Sequence, residues 1–223
     1  MTRDITQHIA KLSAELEEHL YRYYILADPN ISDQEFDRLL AELQGLEEAH
    51  PNLKRPDSPT QHIGGAPTNE FSTVRHARPM LSLDNSYSRE DLEDFDRRVS
   101  QGLPDEQFDY VFELKIDGVA LSLNYEDSLL VRAVTRGDGV QGDEVTANAR
   151  TIHTIPLRLR QPGINCEVRG EVYMENESFA KLNAQREADG EPLFANPRNS
   201  TAGSLKLQNP NLVAARNLRY FAH

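Results

Sequence analysis

The sequence is poor in cysteine, tryptophan and positive charge. Cys166 is the only cysteine among 223 residues, which excludes an internal disulfide and a cysteine-based zinc cluster in this stretch. No run of about 18 apolar residues occurs, so no segment reads as a membrane-spanning helix. The first residues, Met1-Thr2-Arg3-Asp4, lead into a charged periodic stretch and lack the apolar core of a signal peptide. A cytoplasmic location and no membrane partner are therefore expected. Lysine and arginine together number 24 against 36 acidic residues, a formal net charge of −12. That balance argues against a generic nucleic-acid-coating surface, which needs clustered cations. It leaves nucleotide chemistry open.

Apolar material is present but not abundant. Leu, Ile, Val and Phe make up 54 of the 223 residues, enough for a core in one large or two small domains. Ile5, Ile9, Leu12, Leu16, Leu20 and Tyr23 recur at spacings of three and four, the signature of one helical face. Asp28-Pro29-Asn30 stops that helix. Ser32-Asp33-Gln34-Glu35 has the form of a capping box, and Phe36, Leu39, Leu40, Leu43 and Leu46 continue a second helix as far as His50-Pro51. Residues 1–60 carry 12 acidic and 6 basic side chains, so this hairpin is acidic. Pro51, Pro56, Pro59, Gly64-Gly65, Pro67 and Pro79 give residues 51–79 a linker composition. Residues 88–100 read as a helix capped by Ser88. Strands are predicted over 108–115, 119–125, 129–135 and 165–174, with a short turn at Glu126-Asp127-Ser128 and helical stretches near 143–152 and 177–189. The fold class is α+β.

Several short stretches could carry chemistry. Lys115-Ile116-Asp117-Gly118 is either a strand-ending lysine beside an Asp-Gly turn or a nucleophile with its support. A lysine attacks only as the neutral amine, so the second reading needs desolvation or nearby cations. Thr135-Arg136-Gly137-Asp138-Gly139 is a turn with a solvated arginine, or a phosphate-binding loop exploiting the planar guanidinium. The charged residues of Glu167-Val168-Arg169-Gly170-Glu171 share one strand face, which suits a solvated surface or a nucleotide pocket. From Leu193 to His223 there are four basic residues (Arg198, Lys206, Arg216, Arg219) and no acid. That tail offers a phosphate site or a flexible end. Tyr23, Asp33, Phe36 and Asp37 provide flat faces and carboxylates, which suit either a hairpin core or a heteroaromatic ring with its ribose.

Taken in order, these segments resemble the adenylation region of bacterial NAD-dependent DNA ligases. The likeness rests on Tyr23-Tyr24, on Ile31-Ser32-Asp33-Gln34-Glu35-Phe36-Asp37-Arg38-Leu39, on Pro56-Asp57-Ser58-Pro59-Thr60 and on Pro79-Met80-Leu81-Ser82-Leu83-Asp84-Asn85. It continues through Glu113-Leu114-Lys115-Ile116-Asp117-Gly118, Thr135 to Gly139, Glu167 to Glu171 and Asn196-Pro197-Arg198-Asn199. The resemblance implies an NMN-binding helical hairpin over 1–60, a linker over 61–79, and an adenylating nucleotidyltransferase domain over 80–223. That domain would be ATP-grasp-like, with a mostly antiparallel sheet, and truncated at its C-terminal end. Zinc, OB-fold and other downstream modules of the family would lie outside these residues.

The resemblance also implies chemistry and roles. NAD would be the adenylate donor, and Mg²⁺ or Mn²⁺ the accompanying cation. Lys115 would take up AMP and release nicotinamide mononucleotide (NMN). The AMP would pass to the 5′-phosphate of a nick in duplex DNA, which is then sealed, in replication and repair. Asp117 would support Lys115. Glu113 would contact adenine, Ser82 and Leu83 would line the nucleotide pocket, Glu171 would face the ribose, and Arg136 and Arg198 would sit near phosphate. Tyr23, Asp33, Phe36 and Asp37, with the intervening Gln34 and Glu35, would grip the NMN half. No protein metal-ligand set is assigned, and a monomer is expected. Two positions depart from the family pattern: Phe36 stands where tyrosine is usual, and Lys206 where arginine is common. A non-catalytic NAD- or NMN-binding fragment and an ATP-dependent nucleotidyltransferase are the alternatives.

Overall fold

The computed structural model describes residues 2–26, 28–63 and 70–223, without the side chains of residues 2, 3, 24, 25, 33 and 63. Gly64, Gly65 and Pro67 of the expected linker lie outside the described residues.

Helices α1 (Thr2–Tyr21) and α2 (Asp33–Ala49) form the N-terminal hairpin. Ile9, Leu12 and Leu16 of α1 are buried against Leu39 and Leu43 of α2, the seam that the three–four spacing predicts. The chain leaves α1 through a π-type turn, Arg22–Leu26. Tyr23 rides on that wider turn and is 49% exposed, so it stands outside the helix–helix core. Ser32 caps α2, its hydroxyl accepting from the Glu35 N–H at 3.2 Å.

The second part is built on a four-stranded antiparallel sheet of order β3-β2-β5-β6: β2 (Val119–Glu126), β3 (Leu129–Thr135), β5 (Cys166–Tyr173) and β6 (Arg219–Ala222). A separate two-stranded ribbon pairs β1 (Thr73–Arg75) with β4 (Gln141–Asp143). Leu121, Leu123 and Tyr125 of β2, with Val172 of β5, face a single core. It is closed by Val145, Ala149, Ile152 and Ile155, and by Leu205, Val213 and Leu218. Four helices flank the sheet: α4 (Thr146–Ala149), α5 (Asn176–Ala188), α6 (Pro197–Leu205) and α7 (Pro210–Ala214). Asn148 is fully buried, and its side-chain amide donates to the Leu205 and Leu207 carbonyls, both at 2.8 Å, at the C-terminal end of α6.

The β2–β3 connection shows how side chains can impose a turn. Asp127 and Ser128 both have positive φ, 47° and 65°, as a two-residue type I′ turn requires. Neither is glycine. Ser128 is buried; its hydroxyl donates to the Gln161 carbonyl at 2.6 Å and accepts from the Ile164 N–H at 2.9 Å.

The expectation of a strand over 108–115 is not met. Among the described residues no backbone ladder pairs with it, and its apolar side chains face water, with Phe112 and Leu114 each 90% exposed. Sequence alternation supplies β propensity, but a strand exists only with a neighbour to hydrogen-bond. Its start is anchored: Tyr110 stacks near Phe95 and Phe108, and its hydroxyl donates to Asp96 at 2.7 Å. Phe95 and Asp96 belong to α3 (Arg89–Gly102), which Ser88 and Asp91 cap reciprocally. The helix expected over 143–152 is only the short α4.

Removing the Ser128 hydroxyl takes away the partner of two part-buried backbone groups, the Ile164 N–H and the Gln161 carbonyl. Ser128→Ala is expected to lower unfolding free energy by about 1–3 kcal/mol, read from urea denaturation followed by circular dichroism.

Candidate functional site

Glu167, Arg169 and Glu171 project from one face of β5, as their spacing predicts, and the register places them opposite Asn124, Ser122 and Ala120 of β2. Arg169 organises one end. Its Nε pairs with Glu167 Oε1 at 2.8 Å, and its two terminal nitrogens donate to the carbonyls of Pro79 (2.9 Å) and Arg78 (2.6 Å). The loop before Ser82 is thereby fastened to the sheet. Burial alone would raise the Glu167 carboxyl. Its bonds to Arg169 and to the Ser122 hydroxyl (2.7 Å) more than offset that and hold it low.

Glu171 stands at the other end, half-buried. Burial pushes its carboxyl above the ordinary value, against the opposing pull of the Gly118 N–H, Lys115 and Arg198. The Gly118 N–H donates to Glu171 Oε1 at 3.1 Å. Gly118 is held so close that a Cβ there would lie 2.0 Å from the Val172 carbonyl oxygen, a space only glycine fills. The approach fixes the end of Lys115-Ile116-Asp117-Gly118 on the sheet.

Lys115 itself is exposed, in the unpaired segment before β2. Asp117 does not share a strand face with it, because no strand forms there; instead Asp117 Oδ1 meets Arg198 Nη1 at 3.0 Å. Arg198 reaches it from the first turn of α6. Asn196 sets that start by accepting from the Asn199 N–H at 2.8 Å, with Pro197 as the first helical residue.

Arg136 follows β3, and its Nη1 donates to the Ser82 hydroxyl at 3.3 Å. Its loop needs Gly137 (φ 56°) and Gly139 (φ 93°), and the Gly139 carbonyl accepts from the Met80 N–H at 2.8 Å. Lys206 pairs with Asp143 at 2.7 Å. Thus Ser82, Lys115, Asp117, Arg136, Glu171 and Arg198 ring one end of the β2–β5 face. Leu83 and Glu113 are exposed and are not drawn into it. Among the described residues no group of three or more His, Cys, Asp or Glu could hold a metal ion.

The hairpin residues gather elsewhere. Tyr23, Phe36 and Asp37 line a cavity of about 540 Å³ with His19 and Leu20, and its far wall is Pro59, His62, His153 and Ala214. The Asp33 side chain lies outside the described residues; Gln34 and Glu35 are exposed in the first turn of α2. None of the residues around Lys115 lines this cavity.

Residues 68–223 match the NAD-dependent DNA ligase adenylation domain, and residues 2–64 match the DNA ligase-like, N-terminal NAD+-binding domain. The chain belongs to the NAD-dependent DNA ligase family. It is 60% identical over 210 residues to a DNA ligase of Desulforudis audaxviator, covering 93% of this chain and 31% of that protein. It is 53% identical to that of Carboxydothermus hydrogenoformans (98% of this chain, 33% of the relative) and 49% identical to that of Thermotoga maritima (99% and 32%). The chain spans about a third of the length of these relatives. Among the described residues no helix is long and apolar enough to cross a membrane.

The sequence reading missed the far wall of the cavity in this NAD-dependent ligase chain. His62 and His153 are 91 positions apart, yet their rings lie 4.8 Å apart between centroids, and no local pattern announces such a pair. Burial pushes His62 down to about 3 and His153 down to about 4, so both are neutral at pH 7. The ordinary histidine value is 6.5. Below it the unfolded chain binds protons that the folded chain refuses, so stability is full above pH 6.5 and falls as pH drops. Each histidine contributes a slope approaching about 1.4 kcal/mol per pH unit between the two values. Denaturant midpoints at pH 7 and pH 5 are expected to differ markedly in the wild type and less in His62→Phe.

Proposed function

We propose that this chain is the adenylate-accepting part of an NAD-dependent DNA ligase, with Lys115 as the nucleophile. The neutral Lys115 amine attacks the adenylate phosphorus of NAD. A P–N bond forms, the pyrophosphate P–O bond breaks, and NMN leaves with the electron pair. The ammonium proton goes to water, to which Lys115 is open. The AMP then passes from Lys115 to the 5′-phosphate of a nick in duplex DNA, and the 3′-hydroxyl displaces it to seal the strand, in replication and repair in the cytoplasm. Covalent transfer divides one difficult condensation into three displacements with good leaving groups.

What carries this reading is Lys115-Ile116-Asp117-Gly118 at the entrance to β2, with Gly118 on Glu171, in a chain of the NAD-dependent ligase family. Arg136 and Arg198 bring guanidinium groups to the same end of the sheet, where they would hold phosphate. Glu171 would face the ribose, Ser82 and Leu83 would line the nucleotide pocket, and Glu113 would contact adenine. Mg²⁺ takes one or two carboxylates together with substrate phosphates and water. Asp117, an exposed carboxylate beside Lys115, fits such a partial ligand set without a dedicated cage. The ion would neutralise phosphate charge.

The hairpin cavity would take the NMN half. Tyr23 and Phe36 offer ring faces, and Asp33 and Asp37 offer acceptors for ribose hydroxyls. Stacking survives the replacement of tyrosine by Phe36; the hydroxyl contact does not.

Incubated with NAD and Mg²⁺, a protein carrying this chain is expected to gain one AMP in intact mass, mapped to Lys115 and absent in Lys115→Ala. Equal labelling of Lys115→Ala, or labelling from ATP but not NAD, would sink the reading. Binding of NMN with no covalent adduct would favour a non-catalytic binding module. Tyr23→Ala is expected to weaken NMN binding about 5- to 150-fold, given about 1–3 kcal/mol for stacking on an aromatic ring, measured by titration calorimetry.

A further inference from the structure

The residues just before the cavity's far wall contain a buried charge tie between the linker and the sheet domain. The Asp57 side chain is 1% exposed. Arg55 Nε donates to its Oδ1 at 2.9 Å, and Arg55 Nη2 donates to its Oδ2 at 2.5 Å. Arg158 Nε donates to the same Oδ2 at 2.6 Å. Arg55 belongs to the linker itself. Arg158 comes from 101 positions away, in the segment that follows Ile155 and forms an isolated bridge with Leu129 at the start of β3.

The linker is also fastened to the hairpin. The Thr60 hydroxyl donates to Glu47 Oε2 at 2.6 Å, and Lys54 Nζ lies 3.7 Å from the same oxygen, on α2. One short stretch therefore touches both bodies: Glu47 on the hairpin side and Arg158 on the sheet side. Pro59 and His62, immediately after Asp57, form the cavity wall with His153 and Ala214, opposite Tyr23, Phe36 and Asp37.

A second tie is weaker. Arg160 meets Glu18 at 3.0 Å and lies over the Tyr21 ring at 3.5 Å, but both charged groups are about half exposed or more. Exposed pairs of that kind contribute little. The Asp57 carboxylate is different, since losing a partner leaves charge in a water-poor site.

We propose that the Asp57–Arg158 pair positions the helical hairpin for nucleotide binding, holding together the two walls of the cavity that takes the NMN half of NAD. This rests on the reading of that cavity as the NMN site. Asp57 and Arg158 touch no substrate in this scheme; they act by setting the fraction of molecules whose cavity is assembled. If that fraction falls, the apparent affinity falls in proportion, with no change in the contacts of the assembled form.

Arg55 supplies the control. Arg55→Gln removes a partner of Asp57 but leaves the linker tied to the sheet domain, whereas Arg158→Gln cuts the tie and leaves Asp57 neutralised by Arg55. In NMN titration calorimetry, Arg158→Gln is expected to weaken binding about tenfold and Arg55→Gln less than about twofold, with Arg158→Lys in between. The Asp57→Asn/Arg158→Gln double variant is expected to bind no more weakly than Asp57→Asn alone. Small-angle scattering reads the tie without any ligand: the radius of gyration is expected to grow in Arg158→Gln and to stay at the wild-type value in Arg55→Gln. Wild-type NMN affinity together with a wild-type radius in Arg158→Gln would overturn the proposal, as would equal effects of the two arginine variants. A wild-type chain that does not bind NMN would overturn the reading of the cavity; the scattering comparison would then decide the tie separately.

Discussion

The ladder between β2 and β5 is the constraint on which the Lys115 end of the molecule depends. It runs from Val119–Val172 to Tyr125–Cys166, and glycines admit close approaches at its Gly118 end and, on the other edge of β5, against β6. A Cβ on Gly118 would strike the Val172 carbonyl, and one on Gly170 would lie 2.2 Å from the Phe221 carbonyl oxygen. Side chains alternate across the ladder, so Val168 and Val172 turn to the core while Glu167, Arg169 and Glu171 turn away from it. A slip of one residue would exchange the two sets and bury three charges. Register and site are thus one decision: the pairing that fills the core also sets Glu171 under the Gly118 N–H, and with it the point from which the Lys115 segment departs.

Charge is handled differently at the two ends of that face. Glu167 is kept ionised by Arg169 and Ser122 despite partial burial, and this pair serves to hold the loop carrying Pro79. Glu171 accepts from a backbone N–H, and burial raises it against the pull of Lys115 and Arg198. A carboxyl so placed is sensitive to what arrives beside it. A ligand hydroxyl that donates to its ionised form, or an added cation, would lower it, whereas a nucleotide phosphate brought close without a cation would raise it further.

Much of this was legible in the sequence, and the exceptions share a cause. The hairpin seam, the Ser32 and Ser88 caps and the β2–β3 turn follow from local chemistry, and each appears where periodicity or a capping residue places it. The ordered motifs also identified the family, because their residue types at their spacings jointly leave little room for chance. What sequence could not supply was partnership. Residues 108–115 have the alternation of a strand but no ladder neighbour among the described residues. Asp117, which the family resemblance makes a support for Lys115, meets Arg198 on α6, a partner 81 positions away. The His62–His153 contact and the Asp57–Arg158 pair join residues about 100 positions apart and carry no periodic signal.

The acidic composition, which first argues against a nucleic-acid-coating surface, takes on a more specific meaning. Residues 1–60 hold half of the chain's formal net charge, with 12 acidic against 6 basic side chains. Part of that charge faces cations of the sheet domain: Glu18 toward Arg160, and Asp57 toward Arg158. Uniform acidity on both bodies would drive them apart. Arg158 and Arg160 give these carboxylates cations to settle against, and the buried Asp57 carboxylate accepts directional bonds where a diffuse field would not. The cavity that results has its apolar and aromatic wall on the hairpin and two neutral, buried histidines across from it. If the cavity takes the NMN half as proposed, a neutral far wall would spare its cationic ring the repulsion that imidazolium would impose, and Asp37 on the near side would supply the complementary sign.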